Sequence, residues 1–350
     1  MADAPHDIQS NLRLWLDGLD VSGTDTGNGG GTNPSNGAQV TTWKDKSTNA
    51  FSAGDAISYG ASTRTYPTYI SSSGVSLNGV SDILEIPGGI FPTGVGVSAS
   101  EVLIVATTRT IAAFPILFSH GGANSSLTSR YMVSAPWNDG NIYWDHGNTS
   151  TGRASASWAG ASSVLNRVYL YDFNASSPVT IGRDGSTIAT TATARTYTPA
   201  SGHFFDIGGG EADSRKHHDG IISDVIIYSR KLKTAERNII LSYLAAKHAN
   251  PGGAGGLNRY TNTSGYRYHV GGIGQESDGS LTTGTSAGLI CHDFTCHHRR
   301  WPWRYPIRAK NARRCASRGV HQRHSHAIDR RTILAIEHKP ERVGQNFHLR

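Results

Sequence analysis

Cysteine is almost absent from this 350-residue chain, and what there is lies near one end. The three cysteines are Cys291, Cys296 and Cys315, so residues 1–290 contain none. Small extracellular animal modules depend on several disulfides, and that class of protein is excluded for residues 1–290. A cysteine-free body is compatible with a bacterial secreted protein.

Long apolar runs are also missing. No stretch of about 18 consecutive apolar residues occurs, so the sequence predicts no membrane insertion. The segment after Met1 has no apolar core and does not have the pattern of a signal peptide. However, Ala2-Asp3-Ala4-Pro5 is similar to residues that flank a small-residue cleavage site. We therefore expect an extracellular or cell-surface protein whose leader was trimmed or whose start was assigned late, with a cytosolic protein as the alternative.

An excess of positive charge is missing from most of the chain. The formal net charge is +7, but residues 291–350 hold 14 Lys and Arg against 4 Asp and Glu. The first 290 residues hold 19 basic and 22 acidic residues and are mildly acidic. Nucleic-acid-binding proteins carry a basic patch, so we expect no nucleic acid as a partner of residues 1–290.

Short apolar runs separated by turn residues are abundant. Glu101–Thr107 is nearly all apolar, as expected of a buried central strand. Asn138-Asp139-Gly140 and Arg183-Asp184-Gly185 are typical of hairpin turns. No convincing helix precedes residue 234. The pattern therefore predicts an all-β fold, a two-sheet jelly-roll β-sandwich.

One strand and one helix end this series of strands. Ile221–Tyr228 is rich in β-branched residues, which favour a strand. Thr234 is a candidate N-cap, and Glu236 in the first turn suits the helix dipole. Apolar residues then recur at helical spacing until the Asn-Pro-Gly-Gly segment 250–253. The pattern predicts one short helix over about 234–248 that covers a sheet.

These segments resemble the concanavalin A-like superfamily of jelly rolls, and more closely the laminin-G-like type of secreted bacterial surface proteins. The resemblance covers roughly residues 8–250, which we take as one domain. It implies a β-sandwich of that type and leaves the function open, since one fold carries many unrelated sites. The residues that carry it are Asn11–Asp17, Thr32-Asn33-Pro34, Trp43–Ser47, Val75–Asp82, Glu236-Arg237 and Ser242–His248.

The rest of the chain divides into three parts. Residues 251–257 form a glycine-rich linker. Residues 258–290 resemble the start of an uncharacterised β domain that often follows such jelly rolls in bacterial cell-surface proteins, here truncated. Residues 291–350 form a basic tail rich in His, Cys and Arg.

We interpret the tail as the product of a frameshift. Trp has the single codon TGG and Pro codons begin with CC, so reading Arg300–Arg308 one base later forces a Gly-x-Gly segment. The shifted codons permit Asp-Gly-His-Gly-Asp-Ile-Leu-Phe, which the resembled β domain would contain. We therefore expect a disordered tail, with zinc ligation around Cys291 and Cys296 as the alternative. Early stop codons in the shifted frame of the gene would contradict this interpretation.

Two groups of residues are candidates for ligand binding. Trp137, Tyr143, Trp144 and Asp145 lie around one predicted hairpin, and sugar rings stack on exposed aromatic rings while carboxylates accept their hydroxyl hydrogen bonds. The alternative is that Trp137 or Trp144 fills the core. The second group offers oxygen ligands for calcium on the rim, with a solvated loop as the alternative. It consists of Asp17, Asp20 and Asp25.

Enzymatic activity is not favoured by the sequence. Laminarinase-like relatives of the resembled superfamily have a strand with Glu-x-Asp-x-x-Glu, which aims paired carboxylates at a sugar. Glu211-Ala212-Asp213 is followed by Ser214-Arg215-Lys216 and lacks the last acid.

The sequence favours a non-catalytic carbohydrate-binding or adhesion module of a bacterial surface protein, with a glycan or another surface component as its partner and no certain cofactor besides the calcium candidate. A divergent glycoside hydrolase and a structural spacer without a ligand are the alternatives.

Overall fold

The computed structural model describes a β-rich body and several short strands after it. The described residues are 8–24, 32–47, 53–57, 65–110, 115–121, 130–134, 136–137, 139–147, 152–157, 167–174, 177–191, 196–210, 217–248, 271–275, 281–285, 289–292, 295–298 and 334–335.

The described residues of the body form sixteen strands and one helix. The strands of its first half are β1 (Leu12–Asp17), β2 (Thr42–Trp43), β3 (Ala56–Ile57), β4 (Thr68–Ile70), β5 (Gly74–Asn78), β6 (Leu84–Ile86), β7 (Ala99–Thr108) and β8 (Ile116–Gly121). Those of its second half are β9 (Arg130–Ser134), β10 (Asn141–Gly147), β11 (Arg153–Ser157), β12 (Arg167–Asn174), β13 (Ser177–Arg183), β14 (Ser186–Thr191), β15 (Phe204–Ile207) and β16 (Asp219–Tyr228), followed by helix α1 (Thr234–Lys247).

Two antiparallel sheets form the sandwich. Sheet A has the order β14-β13-β12-β7-β16-β5-β4, and β1 also pairs with β16. Sheet B has the order β11-β10-β9-β8-β15-β6-β3-β2. This confirms the predicted two-sheet β-sandwich with a single short helix among the described residues.

Alternation along the strands builds the core between the sheets. On β10, Ile142 and Trp144 are fully buried and point inward, while Asn141 and Tyr143 on the other face are half-buried. On β7 the apolar residues point both ways, because Val102 and Ile104 belong to the inter-sheet core and Leu103 faces the other side. A central strand with both faces covered must be apolar throughout, as Glu101–Thr107 nearly is.

Helix α1 covers the outer face of sheet A, as predicted. Its buried residues Ile240 and Leu244 share an apolar cluster with Leu103 of β7 and Ile226 of β16. The predicted N-cap was wrong by one residue, because the backbone N–H of Lys233 donates to Glu236 Oε2 at 2.8 Å. That bond is one half of a capping box, and it makes Lys233 the N-cap.

The first turns of α1 are held by buried ion pairs. Arg237 donates to both oxygens of Glu101 at 2.6 and 2.7 Å and to Asp172 at 3.0 Å. Burial raises the pKa of the Glu101 carboxyl, although the Arg237 guanidinium and its hydrogen bonds act in the opposite direction. Glu101 lies on β7 and Asp172 on β12, so the helix start is fixed to the two central strands of sheet A.

The end of α1 is held by a second group of buried charges. Asp17 of β1 and Asp224 of β16 are directly opposite each other in the antiparallel pair. Lys247 Nζ lies between them, 2.6 Å from Asp17 Oδ1 and 2.9 Å from Asp224 Oδ2. His248 Nε2 also hydrogen-bonds Asp224 Oδ2. The Lys247 ammonium group therefore stabilises two neighbouring carboxylates, which would otherwise repel each other.

Two glycines allow β1 and β5 to share one edge of β16. The register of β16 shifts between Ile222 and Asp224. A Cβ on Gly18 would lie 2.5 Å from the Ser223 carbonyl oxygen, and one on Gly74 would lie 2.6 Å from that of Ile222. Gly74 also has a φ of 127°, which favours glycine. The ends of β1 and β5 can therefore meet beside this bulge.

The C-terminal part contributes five short strands. They form a three-stranded sheet and a two-stranded one, and the side chains of these strands lie outside the description. The linker 251–257 and most of the tail 291–350 also lie outside it, so the domain boundaries and the frameshift stay predictions. The strands are β17 (Gly271–Gln275), β18 (Leu281–Thr285), β19 (Leu289–His292), β20 (Thr295–His298) and β21 (Leu334–Ala335).

The described part of the chain contains no helix long and apolar enough to cross a membrane.

Replacing Lys247 tests the buried charges at the end of α1. Because Lys247 is 1% exposed and contacts two buried carboxylates, Lys247→Met should lower the free energy of unfolding by about 3–5 kcal/mol. Lys44→Met is the matched control, since the Lys44 side chain is 50% exposed and its pair with Asp55 should matter by no more than about 1 kcal/mol. Chemical denaturation of both variants measures the difference. Equal losses would contradict the assigned role.

Because two histidines are buried, we expect the free energy of unfolding to fall in mild acid. Burial lowers the pKa of His120 to about 3 and that of His218 to about 4, from 6.5. The unfolded chain binds these protons first, so their contribution is fully present above about pH 6.5 and is lost as the pH falls towards 4 and 3.

The double variant His120→Gln/His218→Gln checks this. Between about pH 6.5 and pH 5 each histidine should remove on the order of 2 kcal/mol from the free energy of unfolding of the wild type. The double variant should lose most of that pH dependence in urea denaturation. An unchanged dependence would show that other groups control the acid response.

Candidate functional site

The outer face of sheet B carries polar side chains where the outer face of sheet A carries α1. One row of side chains on this face comes from residues that are cross-strand partners in β11, β10, β9, β8, β15 and β6. The row contains one ion pair, Arg153 with Asp145, and one pair of carboxylates, Asp206 and Glu85, that are direct cross-strand neighbours. Its members, in order from the β11 edge, are Arg153, Asp145, Met132, Ser119, Asp206 and Glu85.

The end of this row opposite β11 is closed to solvent. Asp206 is 1% exposed and Glu85 is 4% exposed. A Cβ on Gly210 would lie 2.3 Å from Ser119 Oγ, so the backbone at Gly210 passes directly over this part of the sheet. Two neighbouring carboxylates are what a glycosidase needs, but a sugar ring does not reach a pair this buried. Glu211 and Asp213, the acids of the predicted alternative, lie outside the described residues.

The β11 end of the same face is open, and aromatic rings lie there. Trp137 and Tyr143 are half-buried, and their ring centroids are 6.2 Å apart at an interplanar angle of 89°. Trp137 belongs to the turn before β10, in which Gly140 N donates to Trp137 O at 2.9 Å and Trp137 N donates to Asn141 O at 2.6 Å. Gly140 has a φ of 78°, which this turn requires.

Charged groups fix the orientation of the Tyr143 ring. Its hydroxyl hydrogen-bonds Asp139 Oδ2, and the Arg153 guanidinium lies 4.4 Å from the ring centroid. Arg153 in turn donates to Asp145 from Nε at 2.5 Å and from Nη2 at 2.7 Å. We call Trp137, Asp139, Asn141, Tyr143 and Arg153 the Tyr143 patch.

The electrostatics of the Tyr143 patch are balanced internally. Burial would raise the pKa of the Asp139 carboxyl, but hydrogen bonds from Tyr143 and Asn141 lower it overall. The hydrogen bond to Asp139 raises the pKa of the Tyr143 hydroxyl. Asp139 is therefore ionised near neutral pH and accepts the hydrogen bond of the Tyr143 hydroxyl, while Asp145 accepts two hydrogen bonds from Arg153.

Of the four predicted sugar-binding residues, one points the wrong way. Trp144 is fully buried and packs against Phe118, Tyr131 and Tyr171 in the core, because it follows Tyr143 on a strand and must face the opposite side. Its assignment to the binding surface was wrong. Asp145 lies on the outer face but is fully buried beneath Arg153, so it orients that guanidinium rather than facing solvent.

The predicted calcium ligands are occupied by lysines where the structure describes them. Lys46 Nζ lies 3.1 Å from Asp17 Oδ2 and 2.8 Å from Asp20 Oδ2, and Lys247 takes the other Asp17 oxygen. Burial alone would raise the pKa of Asp17, but Lys247 and Lys46 hold it well below its ordinary value. Asp25 lies outside the described residues. Within the described ranges, no three His, Cys, Asp or Glu side chains converge on a metal position.

Three members of the Tyr143 patch, Asp139, Asn141 and Arg153, were missed by sequence reasoning about the site. Asp139 was recognised only as a turn residue, although its place four residues before Tyr143 on a hairpin is a usable signal. Arg153 approaches Tyr143 only because β10 and β11 pair with Asp145 opposite Arg153. That register is not visible in the sequence.

Comparison with known proteins gives no family. No family model matches the chain, and no curated protein matches it. Among solved structures, the CBM40 of an IT-sialidase from Ruminococcus gnavus bound to α2,3-sialyllactose is similar, with a TM-score of 0.35, 16% identity, and coverage of 41% of this chain and 80% of that chain.

Two other solved structures are similar to a comparable degree. The receptor binding domain of botulinum neurotoxin D has a TM-score of 0.43 and 12% identity, covering 66% of this chain and 52% of that one. A SAP-like pentraxin from Limulus polyphemus has a TM-score of 0.38 and 13% identity, covering 60% and 93%. Sequence identities and TM-scores this low show neither a family nor a ligand. The β-sandwich is established by the two sheets themselves.

The two tryptophans of this region should respond differently to truncation. Trp144→Ala removes a fully buried ring and should lower the free energy of unfolding by about 3–5 kcal/mol. Trp137→Ala removes a half-exposed ring and should cost no more than about 1 kcal/mol. Urea denaturation of the two variants measures both effects. A greater loss from Trp137→Ala would contradict the placement of the two rings.

Proposed function

We propose that this protein is a non-catalytic carbohydrate-binding or adhesion module, and that the Tyr143 patch is its glycan site. The observation that carries the proposal is a pair of half-exposed aromatic rings, Trp137 and Tyr143, held at a fixed angle beside hydrogen-bonding groups. Rings fixed in this way present apolar faces on which sugar rings stack, and they lose little conformational freedom on binding.

Ion pairing within the patch favours binding over chemistry. Arg153 is bonded twice to Asp145, and Asp139 accepts from both the Tyr143 hydroxyl and the Asn141 backbone N–H, at 2.9 Å in the latter case. A hydrolase would need a carboxyl group free to donate a proton to the glycosidic oxygen. These carboxylates serve to hold the rings and the guanidinium in place.

We also propose an extracellular or cell-surface location, and calcium binding as a condition to be tested. An extracellular or cell-surface position fits the cysteine-free body. Calcium binding involving Asp25 stays part of the proposal as a condition to be varied. Asp17 and Asp20 would first have to lose their lysine partners.

A glycan array tests this function directly. Wild-type protein should bind at least one glycan, and Tyr143→Ala and Trp137→Ala should each weaken binding by about tenfold, since a lost stacking contact corresponds to about 1–1.5 kcal/mol. Tyr66→Ala is the matched control, because Tyr66 is 40% exposed and lies outside the patch. The array is run with calcium and with a chelator.

The remaining outcomes separate the alternatives. Failure to bind any glycan under both conditions would leave a structural spacer. Release of reducing sugar from β-glucans that is lost in Glu211→Gln would instead establish a glycosidase. Binding that survives both aromatic substitutions would place the glycan site elsewhere on the molecule.

A further inference from the structure

The segment that builds the Tyr143 patch has no net charge. Between Gly121 and Asn166 the chargeable residues are Arg130, Asp139, Asp145, His146 and Arg153, and all other residues are neutral. His146 is fully buried and packs against Phe173, so it faces the core. Two arginines and two aspartates then cancel, whatever path the undescribed residues of this segment take.

These charges also pair with each other. Arg153 is bonded to Asp145, and Arg130 Nη1 lies 3.9 Å from the same carboxylate. Asp139 is engaged by the Tyr143 hydroxyl. A ligand therefore meets aromatic rings, amides and hydroxyls beside two groups of opposite charge, the exposed Asp139 carboxylate and the Arg153 guanidinium, whose side chain is 33% exposed. An anionic ligand would have to compete with Asp145 for Arg153 and would be repelled by Asp139.

The neutral groups form a straight track rather than a pocket. The register pairs Asn141 with Ser157 and Tyr143 with Ser155, on the same face as Arg153. Ser155 and Ser157 are exposed, and β11 is the last strand of sheet B. From the level of Arg153 to that of Ser157 the track measures about 13 Å at about 3.3 Å per residue, longer than one pyranose ring.

We infer that the ligand is a neutral oligosaccharide of several sugar units, lying along β10 and β11 with one ring against Tyr143 and further units against Asn141, Ser155 and Ser157. This inference rests on the proposed function and narrows it to uncharged, extended glycans. Stacking supplies the affinity at Tyr143, and the serine hydroxyls and the Asn141 amide pair with sugar hydroxyls beyond it.

Isothermal titration calorimetry with defined oligosaccharides tests the inference. The neutral probes are the hexaoses of the laminarin, cellulose, xylan and mannan series and their monosaccharides, and the anionic probes are hexagalacturonate and α2,3-sialyllactose. At least one neutral hexaose should bind about tenfold or more tightly than its monosaccharide. Its Kd should change by less than about twofold between roughly 50 and 500 mM NaCl, because no net charge is neutralised.

Single substitutions locate the track. Ser157→Ala should weaken the hexaose by about threefold to tenfold and leave the monosaccharide unchanged, because Ser157 lies two residues, about 7 Å at about 3.3 Å per residue, beyond the level of Tyr143. Tyr143→Ala should weaken both. Thr190→Ala is the control, an exposed residue on β14 at the edge of sheet A, and should change neither. An equal effect of Ser157→Ala on both ligands would overturn the extended track.

The outcomes distinguish this inference from the function on which it rests. Tighter binding of hexagalacturonate or sialyllactose, weakened by salt, would overturn the neutral class and leave a glycan-binding protein. Equal affinity for monosaccharide and hexaose would overturn the extended ligand. Absence of binding to every probe and to a glycan array would overturn the proposed function together with this inference.

Discussion

The structure depends most on the buried contact of Lys247 with Asp17 and Asp224. The two carboxylates face each other across the β1–β16 pair, and without a cation between them the first and last strands of the sandwich would repel. Lys46 neutralises the other side of Asp17. Because Lys247 ends α1, the same contact that joins the strands also fixes where the helix lies, and the helix covers the outer face of sheet A.

Because α1 covers the outer face of sheet A, the outer face of sheet B is left for ligand binding. On sheet B that face changes along its width, from a closed region around Asp206 to an open one at Tyr143. The same kind of pairing recurs at the open end, where Asp145 is fully buried and holds Arg153 against the Tyr143 ring. Buried carboxylates in this protein therefore set the positions of other groups, and the Tyr143 patch presents aromatic rings and an amide beside two groups of opposite charge, the exposed Asp139 and the partly exposed Arg153.

The fold was largely predictable because it rests on local patterns. β-branched runs, hairpin turns and one amphipathic segment determine strands and helix, and Asp219–Tyr228 and Thr234–Lys247 lie within a residue or two of their expected positions. The site was only half predictable. Pattern alone located Tyr143, but the choice between Trp137 and Trp144 depends on which face of β10 points inward. The lysines on Asp17 come from residues 29 and 230 positions away, and no spacing rule reveals such partners.

Glycan binding at the open end of sheet B can be tested without any substitution, by hydrogen–deuterium exchange of the whole chain with and without a saturating neutral hexaose that binds. Exchange should slow in residues 137–147 and in Arg153–Ser157 and stay unchanged in β4, β14 and α1. Protection confined to the region around Glu85 and Asp206, or to β14, would contradict glycan binding at the open end of the sheet.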